Sequence, residues 1–150
     1  MPDKTIIAID PGQTGAICVR YPDGKLVTEK MPDTMADIWD LVTSFVFSWL
    51  PPAEAIIENV GGYVPGNAGP GSVKFARHVG HLEMALYAAG IPTTKVSPSV
   101  WMKALGVPPK MEKGDRKRFI KDLMQRRYPK IKVTLVNADC LGILEWGLKQ

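Results

Sequence analysis

The first 31 residues contain three short apolar runs separated by two tight turns, and this pattern restricts the fold more than any other feature of the chain. The runs are 5-TIIAI-9, 16-AICVRY-21 and 25-KLVTEKM-31. The connecting segments, 10-DPGQTG-15 and 22-PDG-24, consist of residues that turns prefer. Because connections this short join antiparallel neighbours, the chain is predicted to begin with a three-stranded meander.

The rest of the chain alternates between helical and strand patterns, with a glycine- and proline-rich loop predicted at 61–72. Asp33 or Thr34 is expected to cap the first helix, and Gly90 to follow the end of the second. One mixed sheet flanked by helices is therefore expected, in a single domain spanning residues 1–150. The expected helices are 35–50, 73–90, 99–105, 115–129 and 137–150, and the two later strands are 53–60 and 91–98.

Composition sets broad limits on the function. Hydrophobic residues make up 45% of the 150, which suits a folded domain with a core. The net charge of +4 favours an anionic partner only mildly. Cys18 and Cys140 each lie in an apolar run, so buried free thiols are expected rather than a disulfide, as in a reducing cytosol. The longest apolar segment, 41–50, is too short to span a bilayer, and a cytoplasmic location without a signal peptide is expected.

Three carboxylates are candidates for a shared site, although only Glu58, in the middle of an apolar strand, is costly by itself. Asp10 ends the first strand, Glu58 interrupts an apolar strand, and Asp139 opens the last helix. Taken one at a time, each has an ordinary explanation: a turn residue, a partner for an arginine, and a residue favoured by the helix dipole. Taken together, carboxylates that converge from strand ends and a helix favour a site for hard divalent cations.

Basic residues are concentrated in the segment 110–127. A solvated helix face is the ordinary explanation for such a run, and contact with phosphates is the functional one. We expect DNA contacts from Lys74, Lys103, Lys110, Lys113, Arg116 and Lys117.

The helix predicted at 73–89 has two rows of side chains along its surface, one of large apolar residues and one of mostly small residues. One is apolar and suits packing on the sheet; the other, Ala76, Gly80 and Met84, would allow a second helix to approach closely. A helix buried on two sides within one chain is the alternative. His78 and His81 lie on the same helix, and we interpret them as solvated or hydrogen-bonded rather than metal-binding. The apolar stripe comprises Phe75, Val79, Leu82, Leu86 and Ala89.

The ordered set of acids resembles that of the RuvC-type Holliday junction resolvases of the RNase H-like superfamily, in particular bacteriophage-type members. The residues that carry the resemblance are Asp10 with 11-PGQTGA-16, then 57-IEN-59, then Asp139. The segments 70-PGSVKFARHVG-80 and 97-SPSVWMKALG-106 are also similar to the family, so the resemblance covers essentially the whole chain. It implies an α/β fold: an RNase H-like mixed five-stranded sheet flanked by helices on both faces.

The resemblance also implies an activity and its partners. The implied activity is that of a Mg²⁺-dependent crossover junction endodeoxyribonuclease, which makes paired nicks in four-way DNA junctions. Two metal ions would occupy each active site, and Mn²⁺ could replace Mg²⁺. Asp10, Glu58 and Asp139 correspond to catalytic metal ligands, and a homodimer would form through the helix 73–89. Neither a membrane nor a small-molecule cofactor is implied. Tyr63 corresponds to an aromatic residue that stacks at the junction centre, although packing on the prolines of its own loop is an alternative.

The chain departs from the family at the fourth metal ligand. Family members carry an acid or a histidine shortly before the last aspartate, whereas this chain has 133-VTLVNAD-139. Asn137 offers a neutral carbonyl oxygen, a weaker ligand for a hard cation. The alternatives are a substituted, inactive variant, or another acid such as Asp115 or Glu145 reaching the site.

Three other functions remain open from the sequence. One is a related nuclease that prefers flaps, forks or replication branches, and another is a junction-binding protein that does not cleave. The third is an actin-like ATPase, whose first hairpin resembles 10-DPGQTG-15. Such ATPases need a second domain and a second phosphate loop, for which 150 residues leave no room.

Overall fold

The computed structural model describes residues 4–46, 52–61 and 69–150. It contains five strands and five helices in these ranges: β1 (Thr5–Asp10), β2 (Ala16–Arg20), β3 (Leu26–Lys30), α1 (Met35–Ser44), β4 (Ala53–Glu58), α2 (Pro70–Ala88), β5 (Thr93–Val96), α3 (Pro98–Ala104), α4 (Lys113–Arg127) and α5 (Ala138–Gly147).

Most element boundaries lie within a few residues of those expected. The hydroxyl of Thr34 accepts a hydrogen bond from the backbone N–H of Asp37, which makes Thr34 the cap of α1. Helix α2 begins at Pro70, inside the segment predicted to be a loop, because proline is well suited to the first turn of a helix. Helix α1 ends at Ser44 rather than at residue 50, and residues 47–51 lie outside the described ranges.

The sheet has the strand order β3-β2-β1-β4-β5. Strands β1, β2 and β3 form the predicted antiparallel meander. Strand β4 pairs in parallel with β1 on one side and with β5 on the other, so the sheet is mixed. Ile9 of β1 is level with Ile57 of β4. The carboxyl ends of these two strands therefore lie side by side, one residue beyond that pair.

Alternation along the strands divides the core into two layers. Ile7 and Ile9 of β1 pack on the face covered by α1 and α2, with Leu82 and Leu86 of α2. Ile6 and Ala8 pack on the opposite face, which is covered by α3, α4 and α5. The predicted helices on both faces of one sheet are therefore confirmed, and the even-numbered positions of β1 face α5.

The prediction of two free thiols was wrong. Cys18 of β2 and Cys140 of α5 form a disulfide with a Cα–Cα distance of 5.8 Å, across 122 residues of sequence. Cys18 lies on the sheet face that α5 covers, and both residues are fully buried there. The pairing depends on how α5 crosses the sheet, which the local patterns around the two cysteines do not specify.

Among the described residues, no helix combines the length and the hydrophobicity needed to cross a membrane.

Candidate active site

The carboxyl edge of the sheet brings Asp10 and Glu58 to the same face. Asp10 continues the alternation of Ile6 and Ala8, and Glu58 continues that of Ile56, so both point to the layer occupied by α5. They end neighbouring parallel strands at the same level of the sheet. Two acids separated by 48 positions in the sequence therefore lie beneath one helix.

The turn after Asp10 stays close to the end of β1. The backbone N–H of Gly15 donates to the carbonyl oxygen of Gly12 at 3.0 Å. A Cβ atom at position 15 would lie 2.0 Å from the carbonyl oxygen of Asp10, so only glycine is tolerated there without a shift of the backbone. Glycine at position 15 thus lets the turn fold back against the backbone of Asp10.

Asp139 lies in the first turn of α5 and completes a group of three interacting acids. The pKa of Asp10 is raised to about 8, first by burial and then by the charges of Asp139 and Glu58. Burial also raises the pKa of Glu58 and of Asp139, and the charge of Asp139 adds to the effect on Glu58. The structure therefore brings the three predicted acids into one electrostatic group.

Glu58 has a specific hydrogen-bond donor that sequence reasoning missed. The indole N–H of Trp101, in α3, donates to Oε2 of Glu58 at 2.6 Å. Trp101 is only 1% exposed, and its hydrogen bond lowers the pKa of Glu58 against the larger effect of burial. The only sequence signal was a tryptophan in an otherwise ordinary amphipathic segment, and nothing in it indicated a carboxylate partner.

Positive charge reaches the acids from the first turns of α4. Lys117 and Arg116 both lower the pKa of Asp139, and Lys117 also lowers that of Asp10. Burial outweighs these contributions, and the pKa values of both acids remain raised. In the described ranges, none of the three acids forms a salt bridge. Their negative charge is therefore only partly compensated by the chain itself.

A cleft of about 630 Å³ adjoins the turn after Asp10. It runs between this turn, the start of α1 and the first half of α2. Lys74 and Lys113, two of the predicted DNA contacts, line it together with Arg77, His78 and His81. Sequence reasoning did not select Arg77, because a single arginine in a helix carries no distinguishing signal. Burial lowers the pKa of His78, and the neighbouring His81 lowers it further.

The remaining predicted contacts have no effect on the pKa of the acids or lie outside the described ranges. Lys103 and Lys110 are exposed, at the end of α3 and in the loop before α4. Neither is among the charges that shift the pKa of the acids. Tyr63 falls within residues 62–68, which lie outside the described part of the chain.

Asn137 is buried, and the adjoining loop engages both ends of its side chain. Its Oδ1 accepts the backbone N–H of Thr134 at 2.8 Å, and its Nδ2 donates to the carbonyl oxygen of Lys132 at 3.2 Å. A further bond from Nδ2 reaches the hydroxyl of Thr28 in β3 at 3.4 Å. These bonds fix the approach to α5, and a role for Asn137 as a metal ligand stays a prediction.

Asp115 and Glu145, the other candidates for the fourth ligand, have partners of their own. Asp115 pairs with Arg118 at 2.6 Å on the surface of α4. Glu145 accepts hydrogen bonds from the hydroxyl of Tyr128 at 2.5 Å and from Nε of Arg127 at 2.9 Å. Neither acid is among the charges that shift the pKa of the three acids.

The three carboxylates are suitable ligands for a divalent cation, although their side chains do not converge on a single position. Three carboxylates supply the hard oxygen donors that Mg²⁺ and Mn²⁺ prefer, and their raised pKa values show that nearby positive charge would stabilise them. Yet within residues 4–46, 52–61 and 69–150, no group of three or more His, Cys, Asp or Glu side chains is arranged to hold a metal ion.

The fold is that of RuvC. The chain superimposes on Thermus thermophilus RuvC with a TM-score of 0.57 and 18% identity, covering 93% of this chain and 90% of that one. T. thermophilus RuvC in complex with a Holliday junction substrate gives a TM-score of 0.55 and 18% identity, with coverage of 93% and 89%. No protein-family model and no curated protein sequence matches the chain. The expected RNase H-like α/β fold is therefore confirmed by structure at low sequence identity.

Proposed function

We propose that this chain is a RuvC-like, structure-selective endonuclease of the bacteriophage type, which resolves four-way DNA junctions by metal-dependent hydrolysis of phosphodiesters. The observation that carries the proposal is the meeting of Asp10, Glu58 and Asp139 at the carboxyl edge of the sheet, where burial and their own charges raise the pKa of Asp10 to about 8. A buried cluster of carboxylates with too little positive charge is costly for a protein unless a cation occupies it.

The three acids would hold the ions, and Asn137 would serve as a neutral fourth ligand only by giving up the hydrogen bond that its Oδ1 accepts from the backbone N–H of Thr134. Bound Mg²⁺ or Mn²⁺, two per site, would activate the attacking water and stabilise charge on the leaving oxygen. Lys117 and Arg116 would then face the scissile phosphate, because both lie close enough to the acids to lower the pKa of Asp139.

The DNA would pass along the cleft beside Asp10. Lys74 and Lys113 line this cleft, and Arg77 adds a third permanent positive charge that the substrate backbone can neutralise. Lys103 and Lys110 would contact flanking phosphates, and Tyr63 would stack at the junction centre. Because phosphate contacts carry no sequence information, these residues would set affinity and salt dependence rather than sequence preference.

Paired nicks require two copies of the site, and the outer face of α2 is suited to join them. Val73, Met84 and Tyr87 are 58%, 61% and 81% exposed, an unusual cluster of apolar surface on one helix. A Cβ atom at Gly80 would meet nothing within 4 Å, so another helix has room to approach there. We propose a symmetric homodimer through this face.

A nicking assay on a labelled four-way junction tests the proposal. With Mg²⁺ or Mn²⁺ the wild type should introduce symmetric nicks, and it should not do so with EDTA or after Asp10→Asn. Flaps, Y-forks and replication branches in the same assay would identify a nuclease with a different branch preference. Tight junction binding without nicks on any branched substrate would contradict the catalytic part of the proposal.

A junction-binding form without cleavage is the second candidate. It is favoured by the absence of an acid at the usual fourth-ligand position and by the lack of a closed metal-binding group in the described residues. Under this alternative the wild type binds but does not nick, and Asn137→Asp or Val136→Asp gains cleavage. If the wild type nicks the junction, the alternative fails.

A further inference from the structure

Trp101 contacts both elements that flank the Glu58 carboxylate. Its indole N–H donates to Oε2 of Glu58, while its six-membered ring packs against α5 at Gly142. Gly142 lies three residues after Asp139 and therefore on nearly the same side of the helix. One side chain thus contacts Glu58 directly and the helix that carries Asp139.

The contact with α5 is close and requires a glycine. A Cβ atom at position 142 would lie 2.7 Å from Cζ3 of Trp101 and 3.1 Å from a methyl group of Leu105. Such a contact cannot form without moving the indole or the helix. The distance between α5 and α3 is therefore set by the flat face of the indole.

The contact with Glu58 is a charge-assisted hydrogen bond in a protected environment. The donor and acceptor atoms are 2.6 Å apart, and Trp101 is 1% exposed, so water does not readily replace the indole as donor. The indole N–H of tryptophan can only donate a hydrogen bond, so the carboxylate oxygen is always the acceptor in this contact. The Oε1 atom of Glu58 has no hydrogen bond among the described residues, which leaves it available to a cation or a water.

We propose that Trp101 is a positioning residue. Its N–H fixes the orientation of the Glu58 carboxylate, and its ring sets how closely α5, which carries Asp139, approaches α3. This inference rests on the proposed nuclease function, in which Glu58 and Asp139 must meet the same substrate phosphate. Phenylalanine at position 101 would keep most of the ring packing and lose the donor. The hydrogen-bond contribution can therefore be separated from the packing contribution.

The structural test uses the indole N–H resonances of the four tryptophans in a ¹H–¹⁵N correlation spectrum of the full chain without metal. Glu58→Gln replaces the charged acceptor by a neutral amide, so the Trp101 resonance should move upfield and exchange faster with solvent. The Trp146 resonance, from the far end of α5, should not move. Gly142→Ala should move the Trp101 resonance although Glu58 is unchanged. A Trp101 resonance that responds to neither variant overturns the proposal.

The kinetic test compares Trp101→Phe with the matched control Trp146→Phe on the four-way junction. Loss of a hydrogen bond to a charged group should lower kcat by roughly 10- to 100-fold in Trp101→Phe, with junction affinity within about twofold of wild type. Trp146→Phe should retain wild-type kcat. If the wild type nicks and Trp101→Phe is equally fast, or loses affinity instead of kcat, the positioning role is wrong.

The two tests separate this inference from the function on which it rests. If the wild type does not nick any branched DNA, the proposed function fails, and the resonance test still decides whether Trp101 holds Glu58. A moved resonance then supports the contact, and an unmoved one overturns it. If Trp101→Phe does not fold, the Trp101 resonance in Gly142→Ala and Glu58→Gln still shows whether Trp101 contacts Glu58, because both variants keep the tryptophan.

Discussion

Strand β4 carries two glutamates on the same face of the sheet, and their surroundings are opposite. Glu54 is the second residue of the strand and pairs with Lys4 in a partly exposed salt bridge. Glu58 ends the strand, is more deeply buried, and accepts a hydrogen bond from Trp101, with two further acids nearby. The chain supplies the first carboxylate with a direct counter-charge and the second with a neutral donor.

This difference distinguishes an edge of the sheet where the carboxylate is paired from an edge where carboxylates cluster without a salt bridge in the described part of the chain. An exposed pair such as Lys4–Glu54 needs nothing further and contributes little to stability. A buried carboxylate beside two others is unfavourable for folding, and such groups are concentrated at functional sites. The carboxyl edge of the sheet, with Asp10 and Glu58, therefore has carboxylates that a cation from solution could bind. The amino edge, where Glu54 is paired with Lys4, does not.

The largest expected effect comes from removing the acids at the carboxyl edge. Asp10→Asn or Glu58→Gln should lower junction cleavage by at least about 10³-fold, because each variant removes a hard oxygen ligand from the reacting centre. Junction binding should be retained, since neither variant removes a positive charge that faces the DNA. Gel-based nicking and binding assays measure both effects. Glu54→Gln is the matched control on the same face of β4, and a comparable loss in it would remove the contrast between the two edges.

A smaller effect is expected from the positive charge next to the acids. Lys117→Ala should weaken junction binding about 5- to 10-fold at moderate salt. It should also reduce the slope of log affinity against log salt concentration by about 1, because one phosphate contact is lost. Binding titrations at several salt concentrations measure the slope. Lys4→Ala, which removes a lysine from the opposite edge, should leave it unchanged; equal slopes in the two variants would contradict the assigned DNA path.

The pH dependence of stability should also distinguish the two edges. In the folded state the Asp10 carboxyl keeps its proton up to about pH 8, whereas in the unfolded chain it loses it near pH 4. Between these values the folded state binds more protons, so metal-free stability should fall as pH rises from about 4 to 8. The raised pKa values of Glu58 and Asp139 act in the same direction.

Thermal unfolding in EDTA at a series of pH values measures this effect. The Tm should fall by several degrees towards pH 8, since about 1 kcal/mol corresponds to roughly 2–4 °C in a chain of this size. Asp10→Asn should flatten the curve, and Mg²⁺ should raise the Tm most at high pH, because it binds the ionised acids of the folded state. A Tm that rises towards pH 8 in the metal-free wild type would refute the assignment of a proton to Asp10.

The smallest effect is expected at the amino edge itself. Breaking the Lys4–Glu54 pair with Lys4→Met should change the free energy of unfolding by less than about 1 kcal/mol, because both side chains remain accessible to water. Chemical denaturation measures this, and Glu54→Gln should give the same small value. A loss of several kcal/mol would show that this edge also stores electrostatic energy, which the comparison excludes.

Local patterns in the sequence were sufficient for much of the fold. The tight turns at 10–15 and 22–24 predicted the meander, because so few residues can join only neighbouring antiparallel strands. The apolar stripe with Leu82 and Leu86 correctly indicated the buried face of α2. These features depend on residues close together in sequence, and so their physical consequences can be read without the rest of the chain.

The sequence indicated the three acids as a set, because Glu58 interrupts an apolar strand and the order of Asp10, Glu58 and Asp139 resembles a known family. Their proximity required the tertiary structure. The parallel pairing of β1 with β4 brings Asp10 level with Glu58, and the crossing of α5 over the same face brings Asp139 to them. The bond from Trp101 to Glu58 and the disulfide between Cys18 and Cys140 depend on the same crossings, and neither was predicted.

The sequence by itself determined which residues are apolar, which positions turn and that Glu58 interrupts an apolar strand, because these properties belong to single residues and to short-range periodicity. Only the tertiary structure decided the partner of each buried polar group, because hydrogen bonds and disulfides require two groups within a few ångströms. That distance is set by the packing of α3 and α5 on the sheet, with Trp101 and Gly142 fixing how closely they approach.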